Sequence, residues 1–146
     1  MTAFMTAQVL LTCASLLITG APLLADLNRT HATNPLWTGH ARYHVVWQVL
    51  SYGNLGLLNL YLIWGEPSIN HLAISCAILF CIIIGFHMTA LNVKRFGGAF
   101  YDPNGYLPFA RPVILGRRVE LDVNAVGFSL FTLVLVAAAV ALYRAA

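Results

Sequence analysis

His40 and His44 stand four residues apart, a spacing that stacks two imidazoles on one face of a helix. They close a stretch, DLNRTHATNPLWTGHARYH, that runs from Asp26 to His44 and also holds Asn28, His31 and Asn34. Two imidazoles so placed suit a metal ion. His87 or His31 would supply a third nitrogen, and Asp26 or Glu120 a carboxylate. Two histidines and a carboxylate fit iron; three histidines fit zinc. No glutamate lies between His40 and His44, so the pair is not the helix of the zinc proteases. The histidine-box desaturases use more histidines than this chain has.

The same residues can work without a metal. A histidine near a helix N-terminus is a competent base, and a carboxylic acid in an apolar pocket can stay protonated as its acid partner. Isomerisation, cyclisation or hydrolysis of a lipophilic small molecule would need little more. A b-type haem between His44 and His87 is a further option. It fits less well, because no second histidine pair lies deeper. A fourth expectation involves no catalysis: the chain anchors or assembles a larger membrane complex or a homo-oligomer, with Trp37 and Tyr43 as interface anchors.

The elements that position these residues are set by composition. The chain has 146 residues, 60% hydrophobic and 9% charged, where an ordinary domain carries about 25% charge. Four apolar stretches, about 4–24, 43–64, 69–93 and 121–143, each reach the ~20 residues that span a bilayer. The expected fold is all-α, one domain, a four-helix transmembrane bundle with an interfacial loop over 94–120. No lysine or arginine precedes the first stretch, which is longer than a signal-peptide core. Cys13, Cys76 and Cys81 all fall within spans and read as small apolar fillers.

Seven of the eight lysines and arginines fall in the 25–42 and 94–120 segments. The positive-inside rule places both in the cytoplasm and both termini outside, as in a bacterial inner membrane. Asn28-Arg29-Thr30 is a glycosylation sequon, which this asymmetry outweighs. Membrane lipid is the expected partner of the cations; nothing resembles a nucleic-acid-binding motif.

With that topology the polar residues converge on one side. Asn34-Pro35 reads as a helix start, with Thr38 as the alternative cap. The His40/His44 face continues through Gln48, Ser51 and Asn54. Gln8, Thr12, Ser15 and Thr19 stripe the first span, and such stripes turn inward in lipid. His87 lies roughly 9 Å inside the boundary, at 1.5 Å per residue, with Asn92 a turn further on. The 95–112 segment has too many breakers for a long helix, and Asp102-Pro103-Asn104-Gly105 is a turn. Its aromatics suit a headgroup zone or a lid. Glu120, Asp122 and Asn124 stand at the start of the last span.

The candidate catalytic or metal-binding residues are therefore His40, His44, His87 and Asp26. His40 and His44 would be ligands or bases, and His87 a ligand or proton donor. Asp26 would complete the ligand set or orient a histidine. His31, Asn28, Asn34, Gln48, Asn92, Asp102, Glu120 and Asn124 support them.

The pattern Asp-x-Asn-x-Thr-His-x-x-Asn-Pro-x-Trp-x-x-His-Ala-Arg-x-His resembles a segment in a group of small bacterial and fungal membrane proteins. The resemblance implies the four-span layout and a site at this segment; no activity comes with it. The layout also resembles small membrane isomerases of the emopamil-binding type, at the level of fold alone.

Overall fold

The computed structural model describes residues 2–104 and 107–146. Gly105 of the expected turn, and Tyr106 among the loop aromatics, lie outside them. The elements are α1 (Ala3–Asp26), α2 (Gly39–Trp64), α3 (Ile69–Asn92) and α4 (Val123–Tyr143), with a hairpin of β1 (Val113–Ile114) and β2 (Arg117–Arg118) before α4. A short 3-10 turn, Val93–Phe96, prolongs α3 and stops at Gly97, whose φ is +69°.

Each helix start has a local cause. The Thr2, Thr38 and Ser68 hydroxyls accept the N–H groups of Met5, Ala41 and His71. Asp122 Oδ1 accepts from Asn124 N and Ala125 N at 2.8 and 3.0 Å. Each bond satisfies an amide that has no partner within its own helix. The helix start expected at Asn34-Pro35 is not there. Asn34 is instead buried in a turn, accepting from Leu36 N at 3.0 Å and donating to Thr30 O at 3.1 Å. Thr38 takes the cap.

The first stretch is not one regular helix. Residues Leu16–Gly20 form a π turn between two α-helical parts. Pro22 supplies the reason: it has no N–H for the carbonyl of Ile18, and its ring crowds that carbonyl. Widening the backbone by one residue relieves the clash.

α1 packs against all three other long helices, and α3 packs against α2 and α4. Among the described residues α2 and α4 do not touch, so α1 and α3 form the short diagonal of the bundle. Ala7 and Ala14 on α1, with Ala138 and Ala141 on α4, are buried where these two helices approach. Small residues allow such contact in lipid. Leu11, Ile18, Ile63, Leu72, Leu79 and Leu135 fill the centre.

The inward stripe of α1 behaves as expected. Gln8 Nε2 donates to Ile63 O at 2.9 Å, and Trp64 Nε1 donates to Thr12 Oγ1 at 2.9 Å. Thr19 donates to Ser15 O at 2.7 Å. The stripe expected on α2 divides: Gln48 borders a cleft between the helices, while His40, His44 and Asn54 do not line it. His40, His44, Gln48 and Asn54 are exposed, while Val49, Gly56, Asn59, Leu62 and Ile63 form the buried face. Asn59 is fully buried, and neither polar atom of its amide has a partner among the described residues.

α1, α3 with its 3-10 turn, and α4 are long and apolar enough to cross a membrane. α2 has the length, at 26 residues, but not the apolarity. His40, Arg42, His44 and Gln48 occupy its first turns, and Asn54 and Asn59 interrupt the rest. The 113–118 hairpin is not expected from the sequence, whose 94–120 segment reads as an interfacial loop.

Gly56 is the tightest point between α1 and α2. A Cβ there would sit 2.3 Å from Thr19 Oγ1, whereas one at Gly85 would meet nothing within 4 Å. Gly56→Val is therefore expected to lower the melting temperature in detergent, costing about 1–3 kcal/mol. Gly85→Ala should leave it unchanged. Equal melting of both variants would show that the α1–α2 contact is looser than described.

Candidate functional site: a cleft between four helices

The bundle opens at the end where α1 stops and α2 begins. Four helices contribute to a cleft of about 590 Å³: Ala21, Pro22 and Asp26 from α1, Gln48 and Tyr52 from α2, Gly85, Phe86 and Thr89 from α3, and Asn124 and Phe128 from α4. A second cavity of about 650 Å³ lies beneath the loops, lined by His31, Trp37, Phe96, Tyr101, Asp102 and Pro103. Phe86, Thr89 and Asn124 line both. Each volume suits a small molecule, and the walls are apolar with a few polar groups. Phe96, Phe100, Tyr101 and Asp102 of the 95–112 segment line this second cavity, which none of His40, His44, His87 and Asp26 lines.

The loop from α1 to α2 is ordered mostly by its own side chains. Asn28 Nδ2 donates to Ala25 O at 2.7 Å, capping α1. Its Oδ1 accepts from Thr30 N at 2.8 Å and from the Thr30 hydroxyl at 2.7 Å. Asp26 and Ala32 close the base through Ala32 N to Asp26 O at 3.0 Å.

This arrangement fixes His31. Its Nδ1 lies 2.7 Å from Thr30 Oγ1 and 3.6 Å from Asp26 Oδ1. The Thr30 hydroxyl has one proton and gives it to Asn28, so Nδ1–H is the donor to Thr30. The neutral ring then carries its lone pair on Nε2. The carboxylate beside Nδ1 favours the same tautomer. Trp37 meets the His31 ring edge-on, with centroids 5.2 Å apart. Its indole Nε1 donates to Asp102 Oδ2 at 2.9 Å, joining the two loops across the cavity.

The structure separates the other expected residues. His40 and His44 do touch, Nε2 to Nε2 at 3.0 Å, but on the exposed face of α2 beside Tyr43 and Trp47. They line neither cavity. His87 Nε2 lies 2.9 Å from Thr132 Oγ1. That hydroxyl gives its proton to Phe128 O, so His87 donates and is used as a link from α3 to α4. A haem between His44 and His87 would have to displace both contacts. No group of three or more His, Cys, Asp or Glu among the described residues is placed to hold a metal ion.

The supporting residues divide similarly. Asp102, Gln48, His31 and Asn124 line the cavities, while Asn28 and Asn34 build the loop. Asn92 donates to Met88 O on its own helix at 2.7 Å. Glu120 pairs with Arg111 at 3.3 Å outside the cleft. Tyr52, Phe86 and Thr89 line the cleft and are not among the site residues expected from the sequence. A signal for Tyr52 was present: it lies one helical turn beyond Gln48.

The Asp102 carboxyl is held below the ordinary carboxylate range, first by the Trp37 indole N–H and then by the Asn104 backbone N–H. A carboxyl whose pKa is lowered by folding contributes stability above its unfolded pKa. That stability is lost as pH falls through the lowered value. The Trp37–Asp102 link should therefore hold at neutral pH and open in acid. Exchange of the Trp37 indole proton, followed by NMR, should accelerate on acidification in the wild type. In Asp102→Ala it should be fast throughout. An acid-insensitive indole in the wild type would show that the link does not depend on the charge.

In comparisons with known proteins, no protein-family model, no curated protein and no solved structure matches this chain, and the resemblance of the Asp26–His44 segment gains no support from them.

Proposed function

We propose that the chain is a four-span membrane protein whose interhelical cleft binds an amphiphilic small molecule and moves a proton on it. The observation that carries this is the meeting of two cavities at Phe86, Thr89 and Asn124, with Asp26 in one wall and His31 in the other. The apolar walls accept a hydrocarbon body. Gln48, Tyr52, Asn124 and Asp102 offer hydrogen bonds to a polar head.

His31 Nε2 is the base in this proposal. It takes a proton from one carbon of the substrate and returns it at another, so the isomerisation is balanced and needs no oxidant. Asp26 and Thr30 are positioning residues: they hold the tautomer and stabilise the imidazolium while it exists. The geometry favours this over the metal site expected at His40, His44, His87 and Asp26, because those groups do not converge.

The fourth span is α2. At 1.5 Å per residue its 26 residues reach about 39 Å, and the hydrocarbon core is about 30 Å. His40, Arg42, His44 and Gln48 lie in its first turns, where headgroups can meet them, and Asn54 is exposed further along. The loops 25–42 and 94–120 then face the cytoplasm, by their excess of cations. A second use is favoured by the exposed His40, Tyr43, His44 and Trp47 on α2. That face would meet a partner subunit in a homo-oligomer or larger membrane complex.

Extraction and mass spectrometry of amphiphiles that co-purify with the protein test binding. The wild type is expected to retain a defined compound that Gly85→Leu, which fills the cleft, loses. Incubation of that compound in D₂O tests the chemistry. Wild type should introduce deuterium on carbon, and His31→Gln should do so roughly 10²–10⁴-fold more slowly. Identical lipid profiles for wild type and Gly85→Leu would sink the binding proposal. Binding without exchange would leave a carrier or receptor rather than an enzyme.

A further inference from the structure

The hairpin between α3 and α4 plays no part in the cleft. Six successive residues, Val113–Arg118, are exposed, and Leu115 at the tip is 98% exposed. The register pairs Val113 with Arg118 and Ile114 with Arg117. Directly paired residues share a face, so each face of the hairpin carries one aliphatic side chain and one arginine.

The turn is unusual in its chemistry. Leu115 and Gly116 both have positive φ, +50° and +76°, as a two-residue hairpin turn of this hand requires. The first position ordinarily takes asparagine, aspartate or glycine, which tolerate the left-handed region. A leucine there is strained and, in water, fully exposed. A lipid environment would remove the second cost and give the first a purpose.

The base of the hairpin is fixed beside the start of α4. Ala110 bridges Leu121, immediately before Asp122 caps the apolar helix α4. From that bridge the chain reaches Leu115 in five residues, about 17 Å at 3.3 Å per residue. That exceeds the depth of one headgroup layer. Lys94 and Arg95 are exposed on the same segment, as are Phe96 and Phe109. Arg111, just before the hairpin, pairs with Glu120. Among the described residues no carboxylate pairs with Arg117 or Arg118.

We propose that the Val113–Arg118 hairpin is an anionic-lipid anchor. Val113, Ile114 and Leu115 enter the acyl boundary of the leaflet that α3 and α4 reach here, while Arg117 and Arg118 remain among acidic headgroups. Long basic stems beside apolar groups suit that depth. The proposal rests on α3 and α4 crossing the membrane and is independent of the cleft chemistry.

A nitroxide label on Leu115→Cys, with Cys13 and Cys81 replaced by alanine, reports the depth. The labelled protein is reconstituted in phosphatidylcholine vesicles with or without phosphatidylglycerol. In the anionic vesicles the label is expected to be relaxed by oxygen and shielded from a water-soluble nickel chelate. In phosphatidylcholine alone it should be open to the chelate. Replacing both Arg117 and Arg118 by glutamine should cut the inserted-to-solvated ratio in anionic vesicles roughly 30-fold, taking each arginine as about a fivefold contribution. A label open to the chelate in both vesicles overturns the proposal. So does equal burial in both, which would make the hairpin a neutral hydrophobic contact. A label shielded from the chelate and from oxygen alike would identify a protein partner instead.

Discussion

The two long loops are joined by a hydrogen bond from Trp37 Nε1 to Asp102 Oδ2, at 2.9 Å. Asn34 Nδ2 only approaches Asn104 O, at 3.5 Å. The loops begin at the ends of α1 and α3, which form the short diagonal of the bundle. Tying them together roofs the gap that the diagonal leaves. The same indole presents its ring to His31, so the roof and the base are one assembly. Charge strengthens this bond, because the acceptor is a carboxylate.

The concentration of polar residues between Asp26 and His44 now divides by task. Asn28, Asn34 and Thr38 satisfy backbone groups that would otherwise be unpaired where α1 ends and α2 begins, and Thr30 links Asn28 to His31. Ordering a loop without water on all sides requires such internal partners. Asp26 and His31 are held by this frame at the junction of two cavities. His40 and His44 look outward. One continuous motif in the sequence therefore serves three surfaces of the molecule.

The helical class was legible in the sequence, because apolar length is a composition-level signal. The inward stripe on α1 was legible from Gln8, Thr12, Ser15 and Thr19, which recur at helical spacing. The His40/His44 spacing gave the right mutual contact and the wrong face, since spacing fixes who meets whom on a helix but not how the helix is rotated. That rotation is set by Gly56, Asn59 and Ile63, which seat α2 against α1 and leave the histidines outside. Asn34-Pro35 misled because asparagine caps turns as readily as helices. The hairpin was hidden because leucine occupies a turn position that normally announces itself with asparagine or glycine.

The π turn at Leu16–Gly20 acts as a one-residue insertion within α1. Each residue of a helix turns its successors by about 100°, so the two halves of α1 keep separate angular registers. Gln8 and Thr12 belong to the register that faces Ile63 and Trp64. Asp26 belongs to the other. Deleting one residue so that this turn tightens would reset the Asp26 end of α1, with the loop and the His31 that it carries, relative to Gln8 and Thr12. The widened turn is thus a joint within α1, between the part that packs through Gln8 and Thr12 and the part that lines the cleft.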